Sequence, residues 1–281
     1  MKDKPLYINI WGKLLDLSST KVMGIINVTP DSFYKGSRFT SETDIINAAI
    51  KMVEDGADML DVGGYSSRPG AADIPVSEER NRVIRAIKLI RRELPDLIIS
   101  VDTFRADIAR EAIEECGVHI INDISAGGAD KKMFSLVAKL NVPYIMMHMK
   151  GNPRTMQNKP VYDDVVADIL RWFGDRIFSL RSMGVKDIII DPGFGFGKTI
   201  KHNFEILRRL NDFSVAGLPV LVGISRKSMI WKTLGITPDE ALNGSSVLNA
   251  VALLNGADIL RVHDVKEAVQ VAILINNLMK S

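Results

Sequence analysis

Short runs of consecutive apolar residues recur along the chain, each ending in a polar or ionisable residue and each followed by a stretch with helical spacing. The runs fall at 22–28, 59–63, 98–102, 120–124, 144–148, 188–191, 220–225 and 258–263. They are continuous rather than alternating, as strands covered on both faces must be. The pattern predicts helices at 41–55, 77–94, 105–116, 131–140, 161–183, 201–213, 230–234 with 245–255, and 265–278. Ser41 to Asp44 carries an N-cap signature. Val83, Ile87, Ile90 and Leu94 share one helical face. Acids open the 161–183 segment and arginines close it, as the helix dipole favours.

Eight strand–helix units in 281 residues fit an α/β fold of one kind, a single (β/α)8 TIM barrel. A doubly wound open sheet is the rival, and it would ordinarily have fewer units. Residues 6–19 alternate loosely around Trp11, Gly12 and Lys13, which predicts a short N-terminal β-hairpin as a lid over one end of the core. The expected organisation is one domain, with the hairpin in 1–20 and the barrel in 21–281.

Composition narrows the partners. Lys plus Arg is 36 against 34 for Asp plus Glu, a net charge of +2, so no charge excess points to nucleic acid or an anionic membrane. Cys116 is the one cysteine, which excludes an internal disulfide and suits a reducing cytoplasm. The first residues lack the apolar run of a signal peptide, and no segment is apolar for long enough to span a bilayer. Small-molecule partners are expected.

In a barrel of this kind the loops after the strands carry the chemistry. The strand ends hold Asn27, Asp61, Asp102, Asn122, His148, Asp191, Ser225 with Arg226 and Lys227, and Arg261 with His263. Any one of these alone reads as a turn former. Eight polar ends out of eight must face water or a polar ligand, because burying them unpaired is costly. Asp102 and Asp191 with Asn122 suit a ligand rich in N–H donors, such as a guanine-like ring, and Lys227 could donate to its carbonyl. Arg68, Arg261 and His263 have the chemistry of anion binders. A flat heterocycle with a phosphate-like group at the rim is the ligand these residues imply.

The segment from Gly193 to Thr199 imitates a phosphate loop, but Pro192 stands where a Walker motif needs glycine, and the spacing misses G-x-G-x-x-G. Its glycines either admit a flat ligand or simply make a turn. His119 and His202 read as surface residues, Cys116 as a buried small residue, and His148 as either structural or site-lining.

Several motifs together resemble dihydropteroate synthase, the folate-pathway family targeted by sulfonamides. They are Gly24-Ile-Ile-Asn-Val-Thr-Pro-Asp-Ser-Phe33, Asp61-Val-Gly-Gly-Tyr-Ser-Ser-Arg-Pro-Gly-Ala71, Val101-Asp-Thr, Ile121-Asn-Asp-Ile-Ser, Met147-His-Met, Asp191-Pro-Gly-Phe-Gly-Phe-Gly-Lys198, Ser225-Arg-Lys-Ser228 and Arg261-Val-His263. The resemblance implies a transferase that joins 4-aminobenzoate to 6-hydroxymethyl-7,8-dihydropterin diphosphate, with Mg²⁺, and a homodimer. It implies that Asp102, Asn122, Asp191 and Lys227 hold the pterin, with Met147 and Phe196 packed against it. Arg261, Val262 and His263 would take the diphosphate end, with Arg68 reaching in from its loop. Asn27 would bind the metal, helped by Asp31, and Phe33, Ser67, Arg68, Pro69 and Ser225 would shape the aminobenzoate site, Ser67 also touching the pterin diphosphate. Asp102, Asp191, Lys227 and Arg68 would be the catalytic groups. One departure shows: Tyr65 stands where the family usually has glutamate, and Ser67 where it has threonine.

Three other readings compete. The pterin domain of a methyltetrahydrofolate:corrinoid methyltransferase would share the Asp, Asn and Asp positions, but would not need the Ser66-Ser67-Arg68-Pro69-Gly70 loop or a diphosphate clamp. A degenerate relative would bind pterin without turnover. Lys227 as a Schiff-base lysine would make the chain an aldolase-like lyase.

Overall fold

The computed structural model describes residues 6–29, 41–66, 73–151, 156 and 160–280. Ten strands are present among them: β1 (Tyr7–Ile10), β2 (Lys13–Asp16), β3 (Lys21–Asn27), β4 (Met59–Gly63), β5 (Ile98–Asp102), β6 (Ile120–Asp123), β7 (Tyr144–Met147), β8 (Ile188–Asp191), β9 (Leu221–Val222) and β10 (Ile259–Val262). β1 and β2 form an antiparallel hairpin. The other eight form one parallel sheet in the order β8-β7-β6-β5-β4-β3-β10-β9. A parallel bridge between Ile190 and Val220 joins the two ends of that order, so the sheet closes. The predicted barrel is therefore the observed fold, and the open sheet is excluded.

Helices alternate with the barrel strands: α1 (Glu42–Glu54), α2 (Val76–Glu93), α3 (Ala106–Cys116), α4 (Met133–Leu140), α5 (Val165–Ser182), α6 (Ile200–Arg208), α7 (Ser228–Leu234), α8 (Leu242–Leu254) and α9 (Val265–Lys280). The Ser41 hydroxyl caps α1 by accepting from the Asp44 amide at 3.1 Å. α5 starts later than its pattern suggested, because the Asp164 carboxylate accepts from the amides of Val166 and Ala167 and fixes the cap there. The helix expected at 201–213 is two pieces: α6 ends at Arg208, and a 3₁₀ segment, Leu210–Ala216, completes it.

Two apolar clusters hold these layers together. The larger lies between the outward faces of the strands and the helices, and includes Phe173, Phe194, Phe213 and Val262. The smaller fills the barrel at the amino ends of the strands, where Met23, Met59, Ile120, Ile145, Ile189, Leu221 and Ile259 meet Ile8, Ile10 and Leu17 of the hairpin region. The hairpin thus plugs the end opposite the strand ends, and the Asn9 amide fastens it to the Asp187 carboxylate at 3.0 Å. With that end sealed, the carboxyl mouth is where a ligand can enter.

Candidate active site

Strand register sets the height of each side chain in the mouth. Asn27 pairs with Gly63, Gly63 with Asp102, and Asp102 with Asn122, so three polar side chains and one glycine lie side by side across β3 to β6. On the facing strands Met147 pairs with Asp191. Gly63 is what lets this row close up. A Cβ there would lie 3.3 Å from Asp102 Cβ and 3.6 Å from Asn27 Oδ1. Any side chain would push between the amide and the carboxylate.

The row is tied to β10. Arg261 donates Nε to Asp61 Oδ2 at 2.6 Å and Nη2 to Asp102 Oδ2 at 2.8 Å. Asn122 Nδ2 donates to the same Asp61 oxygen at 2.8 Å. Burial pushes the Asp102 carboxyl up to about 7, while the Arg261 guanidinium opposes the rise. Val262 is directed the other way. Strand alternation puts its side chain in the core beneath the helices, so only its backbone is available to a ligand at this position.

Across the mouth, Asp191 Oδ1 accepts from the Gly193 amide at 2.7 Å. Burial raises the Asp191 carboxyl, and the Lys227 ammonium opposes it. Lys227 donates to the Phe194 carbonyl at 2.5 Å, with its Nζ 4.8 Å from the centre of the Phe196 ring. Burial pushes the Lys227 ammonium down to about 8, with Asp191 as the main opposing charge. Lys227 is placed by the turn before it. Arg226 sits in the left-handed region at φ 53° and is locked by two hydrogen bonds to Asp264, Nε to Oδ2 at 2.9 Å and Nη2 to Oδ1 at 2.8 Å, with its other Nη on the Pro238 and Asp239 carbonyls. This anchoring offsets a backbone conformation that non-glycine residues seldom adopt.

His263 and Ser225 form the third part. Ser225 Oγ accepts from the His263 amide at 3.3 Å and lies 3.2 Å from His263 Nδ1. Burial pushes the imidazole down to about 3, with Arg261 adding to the shift, so the ring is neutral near pH 7. When the Ser225 hydroxyl donates to Nδ1, the ring proton lies on Nε2. A neutral imidazole offers an N–H donor rather than a positive charge.

The glycines of the 193–197 turn have a structural reason. Gly193 is at φ +71°, and a Cβ on it would lie 2.0 Å from the His148 carbonyl oxygen. The turn is packed on the end of β7 by backbone contact at Gly193, while a Cβ on Gly195 would meet only Lys227 Cδ, at 3.5 Å, so that glycine leaves the backbone open to a flat ligand as well. Lys198, read from sequence only as part of a false phosphate loop, is buried and donates to the carbonyls of Gly193 at 2.9 Å, Phe196 at 3.0 Å and His148 at 3.2 Å. Its Nζ also lies 2.9 Å from His148 Nδ1. His148 is therefore structural, wedged against Trp172 at 4.8 Å between ring centres. His119 is not a plain surface residue either. It lies under Trp11 at 4.7 Å, and its Nδ1 accepts from the Ile99 amide at 3.1 Å. Tyr65, the departure in the second loop, packs edge-on to Phe104 at 5.0 Å, with the Arg105 guanidinium 5.7 Å from its ring centre.

The structure thus brings Asn27, Asp102, Asn122, Met147, Asp191, Phe196, Ser225, Lys227, Arg261 and His263 to one mouth. Asp31, Phe33, Ser67, Arg68 and Pro69 lie outside the described residues. Asn27 Oδ1, beside Gly63, is an oxygen donor of the kind a hard divalent cation takes. Among the described residues no cluster of three or more His, Cys, Asp or Glu side chains could hold a metal alone.

The sequence profile of the pterin binding enzymes matches residues 23–263. The dihydropteroate synthase of Escherichia coli K12 is 45% identical over 261 residues, covering 92% of this chain and 92% of that protein. The crystal structure of Yersinia pestis dihydropteroate synthase with a sulfonamide drug superposes with a TM-score of 0.94 at 38% identity, covering 98% of this chain and all of that one. That of Xanthomonas albilineans dihydropteroate synthase with 4-aminobenzoic acid gives 0.89 at 38% identity, covering 99% of this chain and 100% of that one. Profile, sequence and fold agree over nearly the whole length, and the chain belongs to the dihydropteroate synthases of the pterin-binding enzyme family.

Proposed function

We propose that the mouth binds 6-hydroxymethyl-7,8-dihydropterin diphosphate with its ring against Asp102, Asn122, Asp191 and Lys227, and its diphosphate toward Arg261 and His263. The observation that carries this reading is the arrangement of charge. Carboxylates and an amide oxygen meet the donor edge of the ring, and Lys227 meets its carbonyl. Departure of diphosphate leaves positive charge that the electron-rich pterin spreads, and the buried carboxylates of Asp102 and Asp191 stabilise it. Arg261 and the His263 Nε2–H take up negative charge on the leaving group. The amine of 4-aminobenzoate is neutral near pH 7 and attacks without a strong base, so positioning and electrostatics suffice. Phe33, Ser67, Arg68, Pro69 and Ser225 are the proposed aminobenzoate contacts, and Arg68 a further catalytic cation.

Asn27, with Asp31 as helper, is proposed to hold Mg²⁺. Bound there, the ion would neutralise charge on the diphosphate oxygens. The buried free thiol of Cys116 is consistent with work in the cytoplasm. Val247 and Leu254 of α8 and Ile273, Leu274, Leu278 and Met279 of α9 are all at least half exposed, and we assign this apolar surface to a second copy of the chain in a homodimer. Among the described residues no helix is long and apolar enough to cross a membrane.

The deciding experiment follows diphosphate release with and without 4-aminobenzoate. Release that requires the amine supports the reading. Amine-independent release, or none, would overturn it.

A further inference from the structure

We infer that Asp61 is a positioning residue for the pterin, fixing which hydrogen-bonding edge Asn122 and Arg261 present to the ligand; this rests on the pterin reading of the mouth. Asp61 is fully buried within β4, two residues before Gly63 and on the same face of the strand. Its Oδ2 accepts from both Asn122 Nδ2 and Arg261 Nε, at 2.8 and 2.6 Å. Its Oδ1 is buried without a hydrogen-bond partner.

A carboxylate can only accept. Asn122 must therefore turn its NH₂ toward Asp61, which sends its Oδ1 away from that residue. An amide's two orientations are close in energy unless a neighbour decides between them. With Asp61 in place Asn122 offers the ligand an acceptor, as a ring edge of N–H donors requires. The same carboxylate fixes the guanidinium. Nε on Asp61 and Nη2 on Asp102 set the plane of Arg261, so the fork is oriented before the ligand arrives. Burying a charge with one oxygen left unpaired is costly, and an apolar residue or an amide would serve packing alone more cheaply. Asp61 spends that cost on orientation.

The test is removal and partial restoration of that shared acceptor, read by calorimetric titration with 6-hydroxymethyl-7,8-dihydropterin diphosphate and by steady-state kinetics. Asp61→Leu removes the oxygen to which both Asn122 and Arg261 donate, and should weaken pterin binding at least about 10-fold, raising KM for the pterin and leaving KM for 4-aminobenzoate unchanged. Asp61→Asn can set its amide oxygen where both donors already point, and should bind the pterin more tightly than Asp61→Leu. Asp61→Leu with wild-type affinity, or Asp61→Asn no tighter than Asp61→Leu, overturns the inference. If Asp61→Leu does not fold by circular dichroism, Asp61→Ala takes its place in the same comparison. Wild-type protein that fails to bind the dihydropterin would instead overturn the pterin reading, and the inference with it.

Discussion

Arg261 and Asp102 are bonded to each other at 2.8 Å. The sequence assigns one to the phosphate end of the ligand and the other to its ring, yet in the mouth they form an ion pair with each other. The pairing holds Asp102 closer to its ionised form than burial alone would. It also keeps Arg261 oriented. Arg261→Gln should therefore have two effects. kcat/KM should fall about 10²–10³-fold through loss of leaving-group stabilisation. The residual activity should need a higher pH, because Asp102 without its cation ionises later. A pH–rate profile of the variant checks both; an unmoved acid limb would separate Arg261 from Asp102 energetically.

The wild-type profile has a predicted shape. Asp102, pushed up to about 7, must be ionised to accept from the ring, so activity is lost as pH falls through that value. Lys227, pushed down to about 8, must stay charged to donate to the ring carbonyl, so activity is lost as pH rises through that value. kcat/KM, which reports the free enzyme, should be a narrow bell with its maximum between the two. Lys227→Arg, whatever rate it retains, should lose the alkaline limb because guanidinium does not deprotonate in this range. A limb that persists near 8 assigns it to another group. The same lysine separates the aldolase-like reading, since borohydride should trap no adduct of a carbonyl substrate on Lys227.

Much of this site is written in the sequence, because it depends on local pattern. Period and run length give the eight strands, and the carboxyl ends then name Asn27, Asp102, Asn122 and Asp191 directly. Closure adds register, which no local pattern contains. Only the pairing of Asn27 with Gly63 and of Gly63 with Asp102 shows that a glycine in β4 makes room for the row. Asp61 and Lys198 are harder still. Their partners are 61, 200 and 50 positions away in Asn122, Arg261 and His148, so their roles follow from tertiary contact alone. Arg226 gives no sequence sign that its backbone is left-handed or that Asp264 locks it.

Lys198 makes the glycine turn a rigid wall. Its Nζ gathers the carbonyls of Gly193, Phe196 and His148, and burial keeps its own ammonium far below the usual lysine range. Lys198→Met fills a similar volume and leaves those carbonyls unpaired. It should lower stability by about 1–3 kcal/mol. KM for the pterin should rise more than KM for 4-aminobenzoate, since Phe196 and Asp191 belong to this turn. Thermal melts and separate KM measurements test the two halves. Gly193→Ala should be worse, because its Cβ would lie inside the His148 carbonyl contact. Failure of that variant to accumulate as soluble protein is the expected result.

The last helices test the assembly. Leu274 is 69% exposed and Ile273 54% exposed on α9, which packs on α8 with its exposed Val247 and Leu254, and large exposed apolar side chains on two neighbouring helices suit a partner surface. Leu274→Glu places a charge on the most exposed of these apolar side chains without touching the mouth, which lies at the carboxyl ends of the strands. The expected outcome is a protein with unchanged melting of its tertiary structure at high dilution but a halved mass by sedimentation. Wild-type protein should dissociate to the same species only at low concentration. A variant that sediments as the wild type does would remove α9 from the interface.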